Sequence, residues 1–134
     1  MFLVACASPA EEDTSSPSCI EAADHSDLAW IQDNIFTPSC AFSSCHSGAA
    51  AQAGHLNLQA GAAHGQLVDM PTTSAGSGWM RVVPGESDKS YLLVAIGQVT
   101  GPSPKGGTMP LSSAPLCDAK KEAIERWVAA GAPQ

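Results

Sequence analysis

Apolar residues recur at helical spacing in four places along the chain. Leu28, Ile31 and Ile35 share one face, which predicts a helix over residues 26–36. Ser26 is its expected N-cap and Asp27 suits its positive start. Thr37-Pro38 is its expected end, because the residue before a proline avoids helical geometry. Residues 47–78 are rich in Gly and Ala and show no strong period, apart from a short helix expected over 62–70 with Leu67 and Val68 buried. Arg81-Val82-Val83 reads as extended and Pro84-Gly85 as a turn. Ser87 or Asp88 then caps a helix whose stripe, Tyr91, Leu92, Ala95 and Ile96, runs to Gly97. The clearest pattern is the last: Asp118 as N-cap, Ala123, Ile124, Trp127 and Val128 as the buried stripe, and Gly131 as C-terminal cap with Pro133 beyond it. Lys121 with Glu125 and Glu122 with Arg126 are expected as ion pairs on its exposed faces.

Composition changes this picture in two ways. The chain has 134 residues, with 12 Gly, 10 Pro and 5% aromatic residues, so side chains alone supply little bulk for a core. A large apolar ligand that binds the folded state would fill and stabilise such a core. The net charge of −7 is also unevenly spread: residues 1–30 hold six acids and no Lys or Arg, while residues 31–134 hold seven acids and six bases. The acidity therefore belongs mainly to the N-terminal segment. No basic patch calls for nucleic acid.

Leu-Val-Ala-Cys at residues 3–6 is similar to the end of a bacterial lipoprotein signal. The expectation is a signal remnant with Cys6 as a lipid anchor attaching the chain to a membrane; the alternative is a clipped secretory signal with an incidental cysteine. Both put the protein outside the cytoplasm, in the periplasm or at the outer membrane or cell surface. Residues 1–25 are assigned to this remnant and an acidic tether, solvated over 7–24, and residues 26–134 to one mainly α domain.

Candidate chemistry centres on residues 39–46, where Cys40 and Cys45 are followed directly by His46. In an exported chain this order reads as a covalent haem attachment site with His46 as proximal iron ligand, although the spacer has four residues where two are usual. His55 and His64 have no Cys, His or carboxylate neighbour at ligand spacing and read as surface histidines, and Met70 and Met80 read as packing residues. Met109 differs. It ends a Pro- and Gly-rich loop over 101–111, and a thioether suits the face of haem iron opposite His46.

The succession of Cys…Cys-His, Arg-Val-Val-Pro-Gly with Ser-Tyr-Leu, Met-Pro-Leu and Ile-Glu-Arg-Trp-Val-Ala-Ala-Gly-Ala resembles the small bacterial cytochrome c domains of planctomycete type, over about residues 27–132. The resemblance implies a mainly α, cytochrome c-like domain whose N- and C-terminal helices pack together around one covalently attached haem c. It makes Cys40 and Cys45 the thioether positions, His46 the proximal and Met109 the distal ligand, so that the metal is held by His46 and Met109. Tyr91 would belong to the pocket wall and Arg81 would pair with a propionate. Since the two end helices are then expected to meet, and export permits it, Cys19 and Cys117 are expected to form a disulfide. The implied function is electron transfer with other redox proteins, and a methionine closing the distal face argues against peroxidase-type enzyme activity. The competing reading is a haem-free exported binding or structural lipoprotein, stabilised by disulfides, in which Cys40 and Cys45 close a small loop. Self-assembly stays open, because no apolar stripe is clearly surplus to the core.

Overall fold

A computed structural model describes residues 12–42, 44–48, 55–72, 75, 78–104, 107–111 and 113–134. Cys6 and the expected signal remnant lie outside these residues. The architecture is mainly helical, with no strand among the described residues and only isolated bridges between Val68 and Val82, Pro71 and Met80, and Met80 and Ser90.

The chain enters through α1 (Pro17–Glu21) and a 3-10 turn (Ala22–Asp24). Cys19 and Ala22 are buried there, so the solvated tether expected up to residue 24 is ordered at its end. The cause is a set of long-range fastenings to the C-terminal helix. Cys19 is bonded to Cys117 with a Cα–Cα distance of 6.3 Å, within the range a disulfide needs. Arg126 also donates to the carbonyls of Ala22 and His25, at 2.7 and 2.9 Å.

Helix α2 (Leu28–Ile31) is capped by Asp27, whose side chain accepts from the Trp30 N–H, rather than by Ser26. It does not stop at Thr37-Pro38 either. A π-helical segment (Gln32–Phe36) joins it to α3 (Thr37–Ser39), with Pro38 inside the helical run. In an α register the proline ring would meet the carbonyl four residues earlier; the wider π turn relieves that clash. Gln32 holds the turn by donating to Leu58 O at 2.8 Å and to Thr37 Oγ1 at 3.1 Å.

Helix α4 (Ala63–Leu67) buries Leu67, and α5 (Tyr91–Ala95) follows a 3-10 turn (Ser87–Lys89). Ser90 stands at the α5 cap position, not Ser87 or Asp88, and its hydroxyl ties the preceding turn together through Val83 and Glu86. Helix α6 (Asp118–Ala129) buries Ala123, Ile124, Trp127 and Val128 as its period predicts. Its cap residue is Cys117, one before the expected Asp118. It ends with Gly131 at φ +101°, Gly131 N–H on Val128 O and Ala132 N–H on Trp127 O, the two bonds of a Schellman cap.

The exposed pairs expected on α6 are replaced. Lys121 pairs with Asp118, Glu125 accepts from Gln98, and Arg126 serves the N-terminal segment. Around α6 gathers the core of Ile31, Ile35, Phe36, Leu67, Val82 and Leu93, and α6 packs against α1, the 22–24 turn, α2 and α5. Met70 and Met80 do not fill this core; both are more than a third exposed, because their segment is held by backbone bridges that turn the side chains outward.

Candidate functional site

The end of α3 presents Cys40. The N–H groups of Cys40 and Ala41 both donate to Phe36 O, at 2.9 and 2.8 Å, which fixes where the first thiol leaves the helix. The spacer then folds on itself. Cys45 N–H donates to Phe42 O at 2.9 Å, and His46 N–H returns to Cys40 O at 3.1 Å. His46 is held further by its own carbonyl, which accepts from Leu58 N–H, and by a hydrogen bond of 3.2 Å between Nδ1 and Leu56 O. A backbone carbonyl at Nδ1 selects the tautomer in which Nε2 carries the lone pair, the arrangement found at histidine ligands.

Cys40 and Cys45 are not bonded to each other. Cys40 is partly buried by exposed surface yet closely enclosed by surrounding atoms, as befits a side chain at the mouth of an apolar cleft. Burial pushes its thiol up to about 12, the neighbouring Cys45 adds to the rise, and Lys120 opposes it. Near neutral pH Cys40 is therefore an uncharged thiol.

Met109 reaches the same place from the other side of the sequence. Its N–H donates to Ala95 O at 2.8 Å, so the loop hangs from the end of α5. Two clefts meet at this point, and Cys40, His46 and Met109 line both. The first, about 720 Å³ counting its open mouth, is walled mainly by apolar side chains, among them Leu56, Leu67, Leu92 and Ile96. Arg81 and Tyr91 also line it. Tyr91 is nearly buried, edge-on to Trp79. The Arg81 guanidinium donates to Gln66 O at 2.7 Å and is drawn below its ordinary value by burial. The second cleft, about 540 Å³, adds Cys45, with the half-exposed Phe42 and Leu111 at its rim. All six residues singled out in the sequence thus line one or both of these adjoining clefts.

Three features were missed. Leu93 and Val94, outside the expected stripe, fill the interior, whereas Leu92 and Ala95 within it are only partly buried because they face the first cleft. Lys120 is buried at 2% exposure with Glu12 as its ion-pair partner. Helical period does carry that signal, since Lys120 lies three residues before Ala123 and four before Ile124, but the residue type argued for solvent. The third is His64, which is tied to Ala132 O at 2.9 Å and lies edge-on to Trp127, a structural role rather than a surface one. Glu12, Cys19 and Cys117 bring three potential ligand atoms within 4.8 Å, but both sulfurs are taken up in the disulfide and Glu12 is engaged by Lys120 and the Cys117 N–H. No helix among the described residues is long and apolar enough to cross a membrane.

Comparison of the chain with protein-family models, with curated proteins and with solved structures returns no match.

Proposed function

We propose that the chain is an exported monohaem cytochrome of c type, an electron carrier for other redox proteins, with membrane attachment through a lipidated Cys6. One observation carries this reading: Cys40, His46 and Met109, brought from two distant loops, line the seam shared by two apolar clefts. The donor set fits haem. Two thiols not bonded to each other would suit two thioether links, and the imidazole of His46, fixed through Nδ1, and the thioether of Met109 would hold the iron. The walls of the main cleft are mainly apolar, as those of ligand sites are. When bound, haem supplies an iron that cycles between ferric and ferrous states.

The chain's own residues then have separate tasks. Cys40 and Cys45 tether the group. The carbonyl of Leu56 orients His46, and Ala95 O holds the Met109 loop. Leu92, Ala95 and Ile96 keep water from one wall, and Arg81 offers a partly buried cation for a propionate. If His46 and Met109 both held the iron, no position would be open to a substrate, which favours a carrier over an enzyme. The disulfide between Cys19 and Cys117 suits an oxidising compartment. The haem-free alternative had Cys40 and Cys45 close a small loop, and these two thiols are not bonded to each other.

The test is a visible spectrum of the protein produced together with haem-attachment machinery. Reduced protein is expected to show c-type bands that survive denaturation, and replacing both Cys40 and Cys45 by Ala is expected to release the pigment. Protein that folds and carries no such bands defeats the reading.

A further inference from the structure

Phe42 and Leu111 are large apolar side chains, yet they are exposed at 51% and 48%. They come from segments far apart in the chain and meet on one rim, that of the second cleft, together with Pro110. Among the described residues lining that cleft none is Lys, Arg, Asp or Glu. An exposed apolar patch of this kind marks a surface that meets another apolar phase or partner.

The N-terminal segment indicates which. The cleft that Glu12 lines shares Ser39, Phe42, Pro110 and Ser113 with the second cleft, so the two adjoin across the rim. Glu12 is fixed in place there. Its N–H donates to Pro115 O at 3.0 Å, and its carboxylate accepts from Cys117 N–H at 3.2 Å and from the Lys120 ammonium. Cys6 lies six residues before Glu12, and six residues span at most roughly 22 Å. A chain of this length folds to a radius of gyration of about 14 Å, a body roughly 35 Å across. An acyl chain on Cys6 would therefore keep the Glu12 side of the domain toward the bilayer and the opposite side out of its reach. Phe42 is on the near side. Asp13, next to Glu12, is exposed and acidic, which favours a zwitterionic lipid surface over an anionic one. A protein partner steered by charge would find no charged side chain on the cleft lining to steer by, and a bilayer needs none.

Resting on the reading of Cys6 as a lipid anchor, we propose that the rim of Phe42, Pro110 and Leu111 is a membrane-contact surface. It seats in the interface of a zwitterionic phospholipid bilayer and turns the Cys45 side of the site toward the lipid. The acyl chains on Cys6 supply the attachment, and the rim supplies the orientation. Burying the exposed half of a Phe or Leu side chain favours this orientation by about tenfold for each.

The experiment uses the full chain, haem-loaded and lipidated at Cys6, in phosphatidylcholine vesicles that carry a small share of a diazirine-bearing phosphatidylcholine. After irradiation the labelled positions are mapped by mass spectrometry. Labelling around Phe42 and Leu111 is expected to exceed that at Met70 and Met80, which are also exposed and apolar, by about tenfold. In the double variant Phe42→Ser with Leu111→Ser, the label at Pro110 is expected to fall to the level of Met70 while the anchor stays in place. Label spread evenly over Phe42, Leu111, Met70 and Met80 overturns the proposal. So does a rim left unlabelled, as it would be if a second copy or a protein partner covered it, and so does a double variant labelled at Pro110 like wild type. If the double variant does not fold, the wild-type map decides alone. An intact mass without acyl groups on Cys6 would instead defeat the anchor reading, so the two failures are distinct.

Discussion

Replacing Cys19 and Cys117 together by Ala tests whether the N-terminal segment belongs to the folded domain. The bond joins residues 98 apart in sequence. Closing a loop of about that length removes close to 4.7 kcal/mol of chain entropy from the unfolded state, on the loop-entropy account. Both cysteines are buried, at 3% and 2% exposure, and alanine keeps those positions apolar, so no stranded polar group is added to the loss. The segment also retains its other fastenings, Arg126 on Ala22 O and His25 O and Glu12 on Lys120, which hold the native arrangement while leaving the unfolded chain free. The expected loss is roughly 3–5 kcal/mol, inside the range of 2–5 found on removing native disulfides. For a domain of this size that corresponds to a melting temperature lower by about 10–20 °C.

Equilibrium urea unfolding followed by tryptophan fluorescence reads this directly, because Trp127 is fully buried. A double variant within about 1 kcal/mol of wild type would refute the reasoning, since nothing in the loop argument permits so small an effect. So would alkylation of Cys19 and Cys117 in unreduced, urea-unfolded wild-type protein.

Three further outcomes are expected. Met109→Ala in the haem-loaded protein removes the weak sulfur-to-iron charge-transfer band and lowers the potential; an unchanged band assigns the sixth ligand elsewhere. Gly101→Ala brings a Cβ to 2.7 Å from Val94 Cγ2, and Val94 is a stiff, buried neighbour, so a loss of about 1–3 kcal/mol by urea unfolding and a weakened Met109 band are expected together. Asp27 lies below its ordinary 3.8 because it accepts from Trp30 N–H and, to a lesser extent, from His25. A carboxyl lowered in the folded state contributes stability above its unfolded value and loses it as pH falls through the folded one. Urea midpoints measured from neutral pH to well below 3.8 should therefore decline less steeply in Asp27→Asn than in wild type.

The end helix α6 was legible because period, residue type and cap all agree: the stripe from Ala123 to Val128 is apolar and Gly131 can adopt a positive φ. The run from α2 to α3 was legible only to Phe36. Continuing through Pro38 depends on a π turn, and that turn is held by Gln32 reaching Leu58, a contact no local pattern announces. Met70 and Met80 misled for a related reason, since their placement follows from backbone bridges rather than from hydropathy. At the site, the thiols, His46 and Met109 were legible as residue types. The partner of Lys120 was not, because Glu12 reads as one acid among six in a segment that looks solvated.

The spacer between Cys40 and Cys45 illustrates the same division between local and long-range causes. Counted along the sequence, four residues separate the thiols too widely for the usual motif. The loop, however, is closed by His46 N–H on Cys40 O, and this bond brings the chain back to the cleft. The surplus is taken up in the turn from Phe42 to Cys45, which leaves Phe42 half exposed at the rim of the second cleft. His46 is in turn fixed from residues 56 and 58, outside the motif altogether. The helix end at Phe36 and the strut at Leu56 and Leu58 thus hold Cys40 and His46 from outside the interval between the cysteines, so the spacer count alone describes their placement poorly.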